Sequence, residues 1–197
     1  MPAYNTELSL QHLMKMVPPP TSPLEVARKP ARLIFTGGKQ VDFPPDYLAL
    51  VDRYGSGWFW FDENGESGMI AEIHNPRASA YKGLLDKEHE FLRQYKVEEG
   101  DGYKAYDIFP ASPGLLQWGS AEGRQAYFWL TEGSPSQWPI IVMWDFEFFG
   151  QYDMPLAVFL EKLVAGKLDA RFLRDERVPM KLEPSRVSFV AHATRSR

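Results

Sequence analysis

Apolar residues recur at helical spacing in four stretches of the chain and at strand spacing through much of the remainder. Leu10, Leu13, Met14 and Val17 share one face of a stretch from Thr6 to Val17, which Pro18, Pro19 and Pro20 then stop. Behind the Pro44-Pro45 pair, Tyr47, Leu50, Val51 and Tyr54 fall at i, i+3, i+4 and i+7. Pro45 suits a first helical position and Gly55 the left-handed residue past the end. Asn75-Pro76 reads as the cap and first position of the longest helix, in which Tyr81, Leu84, Leu85, Phe91, Leu92 and Tyr95 keep helical spacing to about Lys96. Leu156, Phe159, Leu160 and Leu163 define a last helix, opened by Asp153 and Pro155 and ended by Gly166.

Between these helices lie short apolar runs separated by turn residues. Leu33 to Phe35 reads as a short strand or an irregular lead-in. Trp58 to Phe61 and Met69 to Ile73 read as a hairpin whose polar loop, Asp62 to Gly68, carries the Asn64-Gly65 turn pair. A charged loop from Glu98 to Asp107 leads to Ile108-Phe109-Pro110. Strands follow at Leu115 to Trp118, Gln125 to Leu130, Pro139 to Met143 and Asp145 to Phe149, with one more around Val187 to Ala191. Sequential strands this close together predict an antiparallel meander with one face on a core and the other nearer to water. The fold class expected is α+β: a single domain with an antiparallel or mixed sheet covered by helices. Residues 1–30 read as an N-terminal helix and Pro-rich spacer, 31–166 as the domain, and 167–197 as a basic C-terminal extension.

Charge refines this division. Phe61 to Gly166 holds 17 acidic and 8 basic residues, whereas Lys167 to Arg197 holds 8 basic and 4 acidic. An acidic main body argues against a nucleic-acid surface and suits a basic partner, although a charged surface that merely keeps the chain in solution looks the same. The chain has no cysteine, which fits a reducing compartment, and no apolar run approaches the ~20 residues of a membrane span. With no leader pattern at its start, the expected location is the cytoplasm, with no membrane partner.

Candidate chemistry is sparse. His12, His74, His89 and His192 lack metal-ligand spacing, although Glu72 and His74 can share a strand face and meet a third ligand from the long helix. Asp145 and Glu147 share a strand face, as a carboxylate pair for hydrolysis would, yet a half-exposed strand alternates polar residues for ordinary reasons. Gly37-Gly38 and Gly65 to Gly68 lack a following Lys-Ser/Thr, and no serine sits in a G-x-S-x-G elbow. The expectation is a protein with no catalytic residues, no metal and no cofactor. Aromatic clusters raise the alternative of protein binding. Trp58 and Trp60 stand on a strand with Asp62, Glu63 and Glu66 in the adjoining loop, and Trp138 stands in the loop "GSPSQWP". These six are the candidate partner-binding residues.

Three ordered blocks carry a family resemblance. "PPDYLALVDRYGSGWF" resembles the opening signature of the SUKH superfamily, the Smi/Knr-like proteins, in which an L-P-x-D-Y helix ends in Y-G before an aromatic strand. "IFPASPGLLQWGSAEGRQAYFWLTEGSPSQWPIIVM" resembles its strand, W-G turn and strand core, and "YDMPLAVFLEKLVAG" its final helix. The likeness runs from Pro44 to Gly166. It implies a non-enzymatic α+β domain; bacterial members mostly act as immunity proteins that neutralise a cognate toxin, often a nuclease, and fungal relatives are scaffolding regulators. Asp46, Tyr47, Tyr54, Gly55, Trp118 and Gly119 match the motif and are expected to be structural: Asp46 near a helix start, the tyrosine hydroxyls on backbone partners, Gly119 in a tight turn. The chain departs from the family at Phe43, where the leucine stands, and at "ARLIFTGGKQVDFPP", where a lead-in helix with tryptophan and an acidic residue is common. The functional expectation is therefore a toxin-neutralising immunity protein. The alternatives are a scaffold protein without a toxin, and a hydrolase using Asp145, Glu147 or His74.

Overall fold

The structure is a computed structural model that describes residues 4–63, 66–99, 106–122, 125–144, 147–168 and 182–192. Helices α1 (Thr6–Met16) and α2 (Pro45–Tyr54) precede a hairpin of β1 (Gly57–Glu63) and β2 (Glu66–Ile73). The long helix α3 (Tyr81–Glu99) leads to the meander β3 (Leu115–Ala121), β4 (Gln125–Leu130), β5 (Ile140–Trp144) and β6 (Glu147–Tyr152). Helix α4 (Leu156–Val164) and strand β7 (Val187–Ala191) complete the fold. The strands form one sheet in the order β6-β5-β4-β3-β2-β1-β7, and each strand pairs antiparallel with its neighbours. This is the α+β class with the sheet covered by helices.

One face of the sheet carries the main core. Phe59 and Phe61 of β1, Trp118 of β3, Tyr127 and Trp129 of β4 and Val142 of β5 all lie in it, beneath the apolar sides of α1, α2 and α4. Trp118 stacks on Tyr127 with ring centroids 4.8 Å apart, and Phe159 of α4 meets both rings edge-on at 6.2 Å. The first helix is part of this unit. Leu10, Leu13 and Val17 are buried against α4 and α2, and the Tyr54 hydroxyl donates to the Val17 carbonyl at 2.6 Å. The basic C-terminal stretch also enters the sheet, because β7 pairs with β1 and sets Phe189 4.9 Å from the Tyr54 ring and 5.2 Å from that of Phe59.

The opposite face differs from the half-wet meander expected. Phe128, Ile141, Met143 and Leu115 are buried there under Leu92 of α3 and Ile108, so both faces of the central strands are dry. Their near-continuous apolar runs reflect that double cover. The cover stops short of the β7-β1-β2 end, where Trp58, Trp60 and Met69 are half-buried and Asp62, Ser188 and Val190 exposed.

Three local readings change. α3 begins at Tyr81 because the Asn75 side chain takes the Arg77 N–H at 2.8 Å in a separate turn, while the Pro76 carbonyl is engaged by the Ala31 N–H at 2.6 Å. Asp46 caps α4, accepting the Ala157 N–H at 2.9 Å, while the N-cap of its own helix is Pro44, which offers no side-chain bond. Gly119 lies inside β3 at a register shift; a Cβ there would stand 2.6 Å from the Glu72 carbonyl, so the glycine serves close strand approach and not a turn. Gly55, at φ +70°, ends α2 as expected, with the backbone of Leu24 pressed against it.

Two substitutions test this packing by urea unfolding. Leu13→Ala should cost about 2–5 kcal/mol if α1 is integral to the core, against almost nothing for a loosely attached helix. Gly119→Ala should cost at least about 1 kcal/mol, since backbone and not a side-chain tip must move aside.

Candidate functional site

The seam between β2 and β3 gathers the polar chemistry. Among the described residues, Glu72↔Ser120 and Ile73↔Gly119 are the strand positions paired across it, and the exit of β2 leaves an open cleft of about 880 Å³ between the uncovered sheet end, the start of α3 and the 24–25 segment. The Ser120 hydroxyl donates to Glu72 Oε2 at 3.4 Å and lies 3.3 Å from His74 Nε2. Glu72 Oε1 stands 3.3 Å from His192 Nε2, close enough for ion pairing though not aligned as a hydrogen bond. His192 in turn packs on Trp58, with ring centroids 4.7 Å apart.

Burial decides the protonation of this group. His74 is only 5% exposed, and desolvation, followed by the neighbouring His192, lowers its pKa to about 4. His89 on α3 is lowered to about 3, by burial first, then Arg93 and His74. Its Nε2 accepts the Gln117 N–H at 3.4 Å, a bond only the unprotonated nitrogen can make. Glu88 is shifted up by burial and then by the charge of Glu72. Both buried imidazoles are therefore neutral near neutral pH.

The facing wall is built by backbone constraint. Glu25 has φ +60°, the one positive-φ non-glycine among the described residues, a conformation costing on the order of 1 kcal/mol. It is held there from several sides. The Leu24 carbonyl accepts the Ser56 N–H at 3.3 Å, the Ser56 hydroxyl donates to Glu25 Oε2 at 2.5 Å, and Asn75 Nδ2 donates to Ser56 Oγ at 2.9 Å.

The expected partner-binding residues separate into groups. Trp58, Trp60 and Asp62 share the uncovered face of β1, and Trp58 also lines the cleft. Asp62, Glu63 and Glu66 are strand residues and not loop residues, because β1 and β2 extend until Glu63 and Glu66 pair; Asn64 and Gly65 lie outside the described residues. Trp138 is no surface anchor. It is 4% exposed, set beside Trp129 at 6.2 Å and Phe35 at 6.4 Å, because the Pro135–Gln137 turn folds the loop back onto the core.

Tyr47 donates its hydroxyl to the His74 carbonyl, Tyr54 to Val17, and Trp118 is fully buried. Of the hydrolytic candidates, Asp145 lies outside the described residues and Glu147 opens β6. Glu72 and His74 do meet, through Ser120. His192 of the segment after β7 stands nearest to Glu72; Glu88 and His89 of α3 lie near enough to be shifted by Glu72 and His74, and no group of three or more acidic or histidine side chains among the described residues can hold a metal ion.

Ser120, His192, Glu25, Ser56 and Asn75 carried no functional signal in the sequence. Strand spacing marked Glu72 and His74; the others arrive from distant segments.

Lowered histidine pKa values predict acid sensitivity with a definite sign. His74 binds a proton in the unfolded chain near its ordinary value of 6.5 but in the folded chain only near 4, so its contribution is intact above about pH 6.5 and lost as pH falls toward 4. From about pH 7 to about pH 4.5 the loss from His74 alone should be on the order of 2 kcal/mol. Urea unfolding of His74→Gln across the same range should show a shallower slope; an unchanged slope contradicts the assignment.

Compared with protein-family models, with curated proteins and with solved structures, the chain significantly matches none.

Proposed function

We propose that the protein is a non-enzymatic binding domain of the Smi/Knr-like type, acting in the cytoplasm as an immunity protein that covers the active surface of a cognate toxin. The observation that carries this reading is the uncovered end of the sheet, where Trp58, Trp60 and Met69 lie half-open beside Asp62 and Glu72. Fold stability does not require two indoles on a wet strand face, whereas interface centres favour such rings in a polar rim. The three sequence blocks from Pro44 to Gly166 support the family assignment, and the acidic balance of the main body suits a basic enzyme such as a nuclease. The mechanism is occlusion: carboxylates steer association and the tryptophans slow dissociation.

A second reading is hydrolysis at the seam, favoured by the Glu72, Ser120 and His74 contacts. Against it, the low pKa of His74 makes that imidazole a poor base near neutral pH, and the Ser120 proton already points to Glu72. Ester turnover abolished by Ser120→Ala would favour this reading.

The test starts from the neighbouring genes: where one encodes a large secreted protein, its C-terminal domain is the probe. Co-expression should restore growth of cells poisoned by that domain, and Trp58→Ala and Trp60→Ala should each weaken the complex about 10-fold or more with the fold intact. Trp138→Ala should instead lower stability by about 3–5 kcal/mol, since it opens a core cavity. Tight binding without rescue points to a scaffold. Wild-type affinity in the Trp58 and Trp60 double variant removes this surface from consideration.

A further inference from the structure

The cleft beside the uncovered sheet end has a largely apolar wall, with Leu24, Ile73 and Leu84 in it, and the carboxylates of Glu72 and Glu25 are its charged side chains apart from the histidines. Because the Ser120 hydroxyl gives its proton to Glu72 Oε2, its oxygen must accept from His74, which places the His74 proton on Nε2. The lone pair then falls on His74 Nδ1, and that buried atom has no hydrogen-bond partner among the described residues. On the facing wall the Ser56 hydroxyl is already used between Asn75 and Glu25, so it offers Glu25 one donor and the cleft none. Glu72 and Glu25 thus stand on opposite sides of a space bounded by Trp58 and Tyr81, and no lysine or arginine is among the described residues that line it. Of the two carboxylates, Glu72 has His192 Nε2 3.3 Å from its Oε1, while Glu25 takes the Ser56 hydroxyl.

We propose that this cleft is a recognition pocket for a guanidinium group, supplied by an arginine side chain of a protein partner. A guanidinium carries five donors in a planar fork and always bears its charge, so it can pair with a carboxylate of the cleft wall while stacking on the Trp58 indole. An anion would meet two carboxylates, and a small divalent cation would find no three-ligand cluster among the described residues. The inference rests on the reading that the protein binds another protein, and it places the partner's anchoring arginine next to the Trp58 and Trp60 face.

The probe is N-acetyl-arginine amide, titrated into the full chain while indole fluorescence and calorimetric heat are followed. Binding with a dissociation constant on the order of millimolar is expected, because one small cation in an open, solvated cleft gains little beyond its ordering cost. Glu72→Gln and Glu25→Gln should each weaken it about 3-fold or more. The isosteric citrulline compound, uncharged, should bind at least about 10-fold more weakly. Arg195 and Arg197 follow His192 in the sequence, so the titration is repeated on the Arg195→Ala/Arg197→Ala chain, where equal or tighter binding is expected. Absence of saturation in both chains, or equal binding of arginine and citrulline compounds, overturns the pocket. A partner complex indifferent to Glu25→Gln/Glu72→Gln overturns it while leaving the protein-binding reading standing. Retained binding of the amide with no partner complex leaves the pocket standing for free guanidinium compounds and sinks the protein-binding reading instead.

Discussion

The structure depends on how closely β2 can approach β3. Among the described residues, the two halves of the sheet, the β7-β1-β2 end and the β3 to β6 meander, share two paired strand positions, and one of them is Gly119 under the Glu72 carbonyl. A side chain at that position would push the halves apart. Further bonds then close the seam. The His74 N–H donates to the Trp118 carbonyl at 3.0 Å, and the Tyr127 hydroxyl reaches the Ile70 carbonyl at 2.7 Å. Tyr47, reaching from α2, takes the His74 carbonyl itself. Each bond satisfies a backbone group at the point where the ladder runs out, which is where an unpaired carbonyl would otherwise cost most.

That same shortage of pairing opens the cleft. Once β2 leaves β3, the chain turns at Asn75-Pro76 and α3 starts several residues later, so neither strand nor helix covers the seam's end. Glu72, His74 and Ser120 project there because alternate residues of a strand share a face, and His192 joins them because β7 pairs with β1 and ends at Ala191 opposite Gly57, with the His192 ring packed on Trp58. Architecture and polar chemistry have one cause.

Elements with strong periodicity were legible in the sequence. The helices at Thr6, Pro45 and Leu156 and the strand Gln125–Leu130 fall where apolar spacing placed them, because their patterns are long and their ends carry proline or glycine punctuation. The start of α3 was not, since Asn75 uses the same Asx chemistry for a turn that it would use for a cap. Trp138 was misplaced for a related reason: Gly, Ser and Pro around it signal a loop, and nothing in a loop's composition says whether its one large ring folds inward. Asp46 shows the limit most clearly. Its helix-start position is visible, but the helix it caps lies more than a hundred residues away. The cleft was legible only at Glu72 and His74, because its other groups come from five separate segments.

Buried neutral histidines and an acidic, aromatic open edge sit side by side, and their roles differ. His74 and His89 are held where protonation is unfavourable, His89 accepting from the Gln117 backbone and His74 turned toward Ser120, so they act as fixed polar packing and resist becoming cations that would neutralise the carboxylates beside them. With His74 neutral, the described lining of the cleft holds two carboxylates, His192 3.3 Å from one of them, and no lysine or arginine. A further positive group comes from a second molecule, and the half-buried Trp58 and Trp60 of β1 flank its approach. On this account the sheet's uncovered end is not an unfinished core but the part of the fold where charge and apolar surface are both left for a second molecule to complete.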